Sequence, residues 1–378
     1  MKLGIVRLYT GESGKIGYYN LQELGLAKEL VKNIDIEVSI FILRKKDKYP
    51  DKEIIKIDEK IKIVYLPVSS IGNHGLLNPR VLEEFNLDII QLNADNQLKC
   101  YDVIKWAIKR NIPIYTYMGT IDSDSNNKIK NIISKVILKR NYIMMKRITN
   151  VAKTPTVLNK LKENGILQST IIPVGLDKEN FKEVDSLDKE DLLAKYNLPR
   201  NKKILLFVGR LEEYKKPFFT LDLVEYINKI DNSYHLLVVG NGSLKERFID
   251  TIESMNIKDD VTYIEKIENK YMAELYSVSD VFINTNDKEI YGMSVLESMY
   301  CGCPVVAKKA PGPGFIIDNG KTGYVIEDYD KSIWYKKIND IVLNRERFSE
   351  SSKSRIENNF LWSVICNKYK GLFNKIKS

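Results

Sequence analysis

Histidine and cysteine are scarce in this chain. Its 378 residues include two histidines, His74 and His235, and four cysteines, Cys100, Cys301, Cys303 and Cys366. The cysteines follow neither a zinc-binding spacing nor a disulfide framework, so they read as small buried hydrophobes of a reducing cytoplasm. No apolar run approaches the ~18 residues needed to cross a bilayer. The opening Met1-Lys-Leu-Gly-Ile-Val reads as a strand, not a signal peptide. Internal repeats and low-complexity tracts are absent. What remains is a chain with 44% hydrophobic and 29% charged residues, the balance of a globular protein long enough for two cores.

Charge is unevenly shared. Residues 1–173 hold 28 Lys and Arg against 18 Asp and Glu, while the rest holds 31 against 32. The segment Lys128–Arg147 has seven basic residues and no acid, with Ile129, Ile132, Ile133, Val136, Ile137, Ile143 and Met144 among them. Such a basic amphipathic stretch suits an anionic membrane surface; a solvated helix face is the plainer alternative. No nucleic-acid-binding motif accompanies the charge.

Short apolar runs alternate with helical stretches throughout, which predicts parallel sheets with right-handed crossovers. Strands are expected at 3–8, 37–43, 61–66, 89–92 and 112–117, with a first helix over 22–32. The second half repeats the pattern at 203–208, 235–239, 261–263, 280–284 and 304–307. Pro173 and Gly175 punctuate the join. The expected domains are therefore 1–173 and 174–360, both Rossmann-like, with ligands in a cleft between them. A last helix over 361–378 is expected to cross back to the first domain.

The richest stretch is Glu289-Ile-Tyr-Gly-Met-Ser-Val-Leu-Glu297. The run Asp280-Val-Phe-Ile-Asn284 before it reads as a buried strand. The run Met293 to Tyr300 has helical spacing and stops at Gly302. One acid thus lies on a strand-to-helix loop and the other on the helix's first turns, beside N–H groups and a dipole that favour an anion. Acids cannot neutralise phosphate, so they are expected to accept from hydroxyls. A ligand with both a diphosphate and sugars, a nucleotide-sugar, fits that combination.

Upstream, Phe207-Val-Gly209-Arg210-Leu-Glu-Glu-Tyr-Lys215 places two cations after a strand. They could face a diphosphate through charge-assisted bonds, or simply pair with Glu212 or Glu213. Glu297 could accept from two ribose hydroxyls, or merely complement the helix dipole. Backbone N–H groups of Gly292, Met293 and Ser294 are the expected phosphate cradle. The loop Gly11-Glu-Ser-Gly-Lys-Ile-Gly17 is not a P-loop: the first glycine is misplaced, and Ile16 stands where Ser or Thr is needed. It is read instead as closing over phosphates through Gly17. Tyr18, Tyr19, Asn20 and Gln22 are candidates for contacting the acceptor, with helix capping and packing as the alternative.

Glu-x-Tyr-Gly-x-x-x-x-Glu resembles the paired-glutamate signature of retaining glycosyltransferases of family 4, the glycosyl transferases group 1. The Gly-Arg-x-x-x-x-Lys segment at 209–215 supports this. So does the order of Val238-Val-Gly-Asn-Gly242, Gly302-Cys-Pro-Val-Val306 and Ile172-Pro-Val-Gly-Leu-Asp177. The resemblance implies an α/β GT-B fold whose two domains face a cleft. It implies a cytoplasmic, metal-independent hexosyltransferase with no cofactor, and the basic first half adds an expected place at the inner membrane face. Such an enzyme would move a sugar from a UDP-sugar to a lipid-linked glycan acceptor in bacterial surface polysaccharide or glycoconjugate assembly. Glu289, Arg210 and Lys215 would be catalytic, while Glu297, Gly209 and the 292–294 backbone would hold the donor. Glu289 would stabilise charge near the anomeric carbon without acting as a nucleophile. Two departures lie where a sugar would bind. Met118-Gly119 stands where relatives have a histidine, so either these residues serve the acceptor through backbone or donor preference is altered, and Phe315 lies near an expected acid. They keep open a non-catalytic partner subunit and a nucleotide-sugar epimerase or hydrolase of the same fold.

Overall fold

A computed structural model describes residues 1–11, 22–94, 96–120, 128–181 and 188–377. Gly17, Tyr18, Tyr19 and Asn20 lie outside the described residues. By its internal contacts the chain divides into two units, Met1–Gly175 with Trp362–Ser378, and Leu176–Leu361.

The first unit's strands are β1 (Lys2–Arg7), β2 (Glu37–Lys45), β3 (Glu53–Lys56), β4 (Ile61–Val68), β5 (Ser70–Ile71), β6 (His74–Gly75), β7 (Ile89–Asn93), β8 (Ile114–Met118), β9 (Thr149–Ala152) and β10 (Ser169–Ile171). Eight of them form one sheet in the order β10-β9-β8-β7-β1-β2-β4-β3, and β5 pairs with β6 as a small hairpin. Only β3, at the edge, runs antiparallel in the large sheet. Its central strands β1, β2, β4 and β7 are rich in Ile, Val and Leu because both faces are covered. The covering helices are α1 (Gln22–Asn33), α2 (Cys100–Lys109), α3 (Lys128–Met145), α4 (Pro155–Glu163) and the C-terminal helix Trp362–Lys377. That last helix is seated by Trp362, whose indole fills space that two glycines leave open. A Cβ on Gly25 would lie 2.4 Å from its Nε1, and one on Gly175 would lie 2.3 Å from its Cδ2.

Helix α3 corrects the amphipathic expectation. Ile137, Leu138, Met144 and Met145 are buried on one face, yet Ile129, Ile132, Ile133, Val136 and Ile143 are all more than half exposed on the other. It is therefore apolar on two faces, with basic residues between them. Arg140 is not a free surface charge: its guanidinium donates to Asp102 Oδ1 at 2.7 Å and to the Leu98 carbonyl at 3.1 Å.

The second unit contains α5 (Lys189–Lys195), β11 (Lys203–Val208), α6 (Pro217–Asn228), β12 (Tyr234–Val239), α7 (Lys245–Ser254), β13 (Val261–Ile264), α8 (Met272–Val278), β14 (Val281–Asn284), α9 (Met293–Tyr300), β15 (Val305–Lys308), α10 (Pro313–Ile316), β16 (Gly323–Ile326), α11 (Lys331–Leu343) and α12 (Arg345–Asn359). Its six strands are all parallel, in the order β13-β12-β11-β14-β15-β16. Chain order reverses between β11 and β14, and in open α/β sheets that is where ligands bind. All ten anticipated strands form within two residues of their expected limits. The strands that pattern did not reveal, such as β9, β10 and β16, span four residues or fewer, too short to show a period.

His235 lies on β12 with 4% of its surface exposed, and its Nε2 is 2.8 Å from the Thr262 hydroxyl. Burial, aided by nearby Lys202, lowers its pKa to about 4. The unfolded chain thus binds a proton near pH 6.5 that the folded chain refuses until about pH 4. Stability should fall as pH drops through that window and level off below it, with a total on the order of 3 kcal/mol. Urea melts of the wild type and His235→Gln between pH 7.5 and 4 check this; the variant should show the shallower slope.

Candidate active site

At the reversal point of the second unit, loops leave the carboxyl ends of the adjacent strands β11 and β14. The β11 loop is held by backbone bonds to its other neighbour. Gly209 N–H donates to Val239 C=O, and Leu211 N–H to Asn241 C=O, each at 3.0 Å. This closeness requires glycine at 240 and 242. A Cβ on Gly240 would stand 1.8 Å from the Gly209 carbonyl oxygen, and one on Gly242 would stand 2.3 Å from that of Leu211. Arg210 then points outward, exposed, with its guanidinium 5.4 Å from the Tyr214 ring. Lys215 closes a short 3-10 turn, Glu213–Lys215.

The β14 loop folds through successive Asx turns. Asn284 Oδ1 accepts from Asn286 N–H at 3.1 Å, and Asn286 Oδ1 accepts from Lys288 N–H at 3.0 Å. Glu289 is thereby presented to Lys215, and Nζ to Oε2 is 2.7 Å. The Asn286 amide donates to the same oxygen at 3.0 Å. Among the described residues Glu289 Oε1 takes no hydrogen bond, so one carboxylate oxygen is anchored and the other is available. The Thr285 hydroxyl donates to the Lys215 carbonyl at 2.5 Å, a second tie between the loops. The anticipated alternative of Lys215 pairing with Glu212 or Glu213 does not occur. Glu212 accepts from the N–H and hydroxyl of Ser243, which hold its pKa below the usual range, and Glu213 faces Arg247 at 3.7 Å.

Gly292 begins α9 with φ of +94°, a left-handed conformation suited to glycine, and no side chain caps the helix. The leading N–H groups of Met293 and Ser294 are therefore left to a ligand or solvent. Glu297, one turn further on, is 1% exposed and accepts from the Tyr276 hydroxyl at 3.1 Å. Gly302, with φ of +71°, ends the helix, and its N–H donates to the Met299 carbonyl.

Sequence reasoning missed Tyr276, Asn286 and Thr285. Each is ordinary in the sequence and becomes visible only through its partner across the fold. Phe315 belongs to α10 and stacks edge-on against Phe360 at 5.6 Å, so it is a packing residue. In the first unit, Gln22 opens α1 and is half-buried. The Met118 side chain is fully buried in the core, and its carbonyl accepts from Lys153 N–H at 3.0 Å; Gly119 follows directly.

These features define a class of α/β protein: two parallel-sheet units with switch-point topology, the second carrying a Lys–Glu pair and an uncapped helix N-terminus. Residues 188–360 match the family described as glycosyl transferases group 1. It is 20% identical to the D-inositol 3-phosphate glycosyltransferase of Corynebacterium diphtheriae over 99% of its own length and 94% of that protein. With spore coat protein SA of Bacillus subtilis it shares 28% identity over 50% of its length. There the chain spans about half of the curated relative, 52%. Among solved structures it is similar to sucrose-phosphate synthase from Thermosynechococcus elongatus, with TM-score 0.78, 18% identity, and 99% and 98% of the two chains covered. An Anabaena protein in complex with UDP and glucose gives TM-score 0.70 at 16% identity, covering 99% of each chain. The fold is GT-B.

Replacing Gly240 by Ala forces a methyl onto the Gly209 carbonyl. A cost of about 1–3 kcal/mol is expected from backbone displacement, read as a lower urea midpoint of the second unit. The loop carrying Arg210 should show faster hydrogen exchange.

Proposed function

We propose that the chain transfers a sugar from a nucleoside diphosphate-sugar to a glycan acceptor with retention of anomeric configuration, and that it needs no metal. The observation that carries this is the Lys215–Glu289 pair at the switch point, beside the uncapped start of α9. The donor diphosphate would lie against the N–H groups of Met293 and Ser294, with Arg210 and Lys215 supplying the positive charge. Those cations oppose the negative charge that grows on the leaving phosphate, and losing such a donor typically costs ~10²–10³ in rate. Glu297 would accept from the nucleotide ribose. The free Oε1 of Glu289 would accept from a sugar hydroxyl and favour positive charge at the anomeric carbon.

In the transfer, the bond from the anomeric carbon to the phosphate oxygen breaks. The acceptor hydroxyl oxygen bonds to that carbon from the same face, and its proton passes to the departing phosphate oxygen. UDP is the nucleotide proposed, since it is what the Anabaena neighbour holds. The acceptor would be a lipid-linked glycan of bacterial surface polysaccharide or glycoconjugate assembly.

The exposed stripe of α3 supports a membrane-facing role. Its five aliphatic side chains would enter the headgroup boundary, with Lys135 and Lys139 meeting anionic lipid. Neutralising both lysines should weaken binding to anionic vesicles by about 1 kcal/mol per charge, leaving neutral vesicles unaffected. Equal co-sedimentation of wild type and variant would return α3 to an ordinary surface.

The decisive test is release of the nucleoside diphosphate from UDP-, GDP- and ADP-sugars, with and without glycan acceptors, using Glu289→Gln as the blank. Release from one donor is expected in the wild type. It should fall by about 10² or more in the variant, while UDP affinity stays within a few fold. Unchanged turnover in the variant would remove Glu289 from the site. A free sugar released without need of an acceptor would mark a hydrolase, and UDP binding with no turnover on any donor would favour a non-catalytic subunit.

A further inference from the structure

In the first unit, β8 and β9 are parallel neighbours, with Met118 opposite Ala152. The bond from Lys153 N–H to the Met118 carbonyl extends their ladder by one rung. Gly119 and Lys153 therefore leave the carboxyl edge of the sheet side by side, on the edge where open α/β sheets receive ligands. Gly119 has no side chain, and Lys153 covers it: a Cβ on Gly119 would lie 3.4 Å from both Cδ and Nζ of Lys153. The ammonium sits 5.1 Å from the centre of the buried Tyr117 ring.

Lys153 is half-buried, yet among the described residues it has no carboxylate partner. Other cations of this unit do. Arg7 faces Glu23, Lys99 and Arg140 share Asp102, and Arg110 meets Glu83. A partly desolvated ammonium held against a π-face, with its charge unanswered, is poised for an anion. The adjoining helix adds to this: α4 begins two residues on, with Thr154 as its N-cap and Pro155 at its first position, so its dipole also favours negative charge there.

We infer that Lys153, laid over Gly119, is a recognition residue for an anionic group, a phosphate or carboxylate, on the sugar-containing substrate that meets the first unit. This rests on the sugar-transfer reading and narrows its substrate class. Lys153 makes no bond to the reacting atoms. It selects a charged substrate over a neutral one through a charge-assisted hydrogen bond.

The test is calorimetric titration of the full chain with glucose 6-phosphate, glucuronate and glucose, and separately with UDP. The wild type should bind at least one of the two anionic sugars about tenfold tighter than glucose, and the better one identifies phosphate or carboxylate as the source of charge. Lys153→Met should abolish the preference and Lys153→Arg should keep most of it, with UDP affinity and Tm unchanged in both. No preference in the wild type, or a preference that survives in Lys153→Met, overturns the inference. Should Lys153→Met fail to fold, reductive methylation of the wild type decides instead. Glucose 6-phosphate or glucuronate should protect Lys153 where glucose does not, and equal labelling refutes the assignment. UDP binding is read independently, so its loss would count against the sugar-transfer reading and not against Lys153.

Discussion

The ion pair between Lys215 and Glu289 depends on the reversal of strand order beside β11. Strand β11 has β12 on one side and β14 on the other, and right-handed crossovers carry the connections from β11 and β14 away in opposite directions. The two loops part above their strands and leave room at the carboxyl edge. A 2.7 Å charge contact and the Thr285 bond to the Lys215 carbonyl then bridge that opening from residues about 70 positions apart in the chain. Without the reversal, the two loops would follow the same course and close over each other. The pair sits on the loops that this arrangement sets apart, and the uncapped α9, with the buried Glu297 in it, starts where the β14 loop ends.

Close backbone approach is the second theme. At the edge of the second unit, Gly240 lets one loop lie on the carbonyl of Gly209. Gly312 likewise lies where a Cβ would be 1.9 Å from the Tyr291 carbonyl oxygen, next to the bond its own N–H donates to Glu289 C=O. Backbone packed this tightly has little freedom, so the side chains it carries are oriented before any ligand arrives. The first unit uses the same device differently, with Gly25 and Gly175 making space for one indole. At Gly119 the space freed by a missing side chain is taken by a lysine from the next strand.

Much of this was legible in the order of residues. Glu289 and Glu297, eight positions apart, mark a loop and a helix turn, and Val281–Asn284 and Met293–Tyr300 form where apolar runs and helical spacing placed them. Lys215 was legible as a cation near a strand end, but its partner was not, because Glu212 and Glu213 are nearer in sequence while Glu289 is nearer in space. Tyr276, which bonds Glu297, carries no local signal at all. Helix α3 shows the limit from the other direction. Its mixture of lysines and aliphatics reads as amphipathic, yet which of them face the core depends on what packs beneath, and four isoleucines and Val136 remain outside.

The sequence by itself determined the local elements and the α/β class, because hydrophobic period, glycine and proline act over a few neighbouring residues. It also determined that acids and cations would stand at the carboxyl ends of strands in the second unit. Only the tertiary structure decided which acid meets which cation, that Arg140 is spent on Asp102, and that Lys153 covers Gly119 with no acid among the described residues to answer it. Those outcomes depend on strand order and on contacts between distant segments, which arise only when the whole sheet has formed.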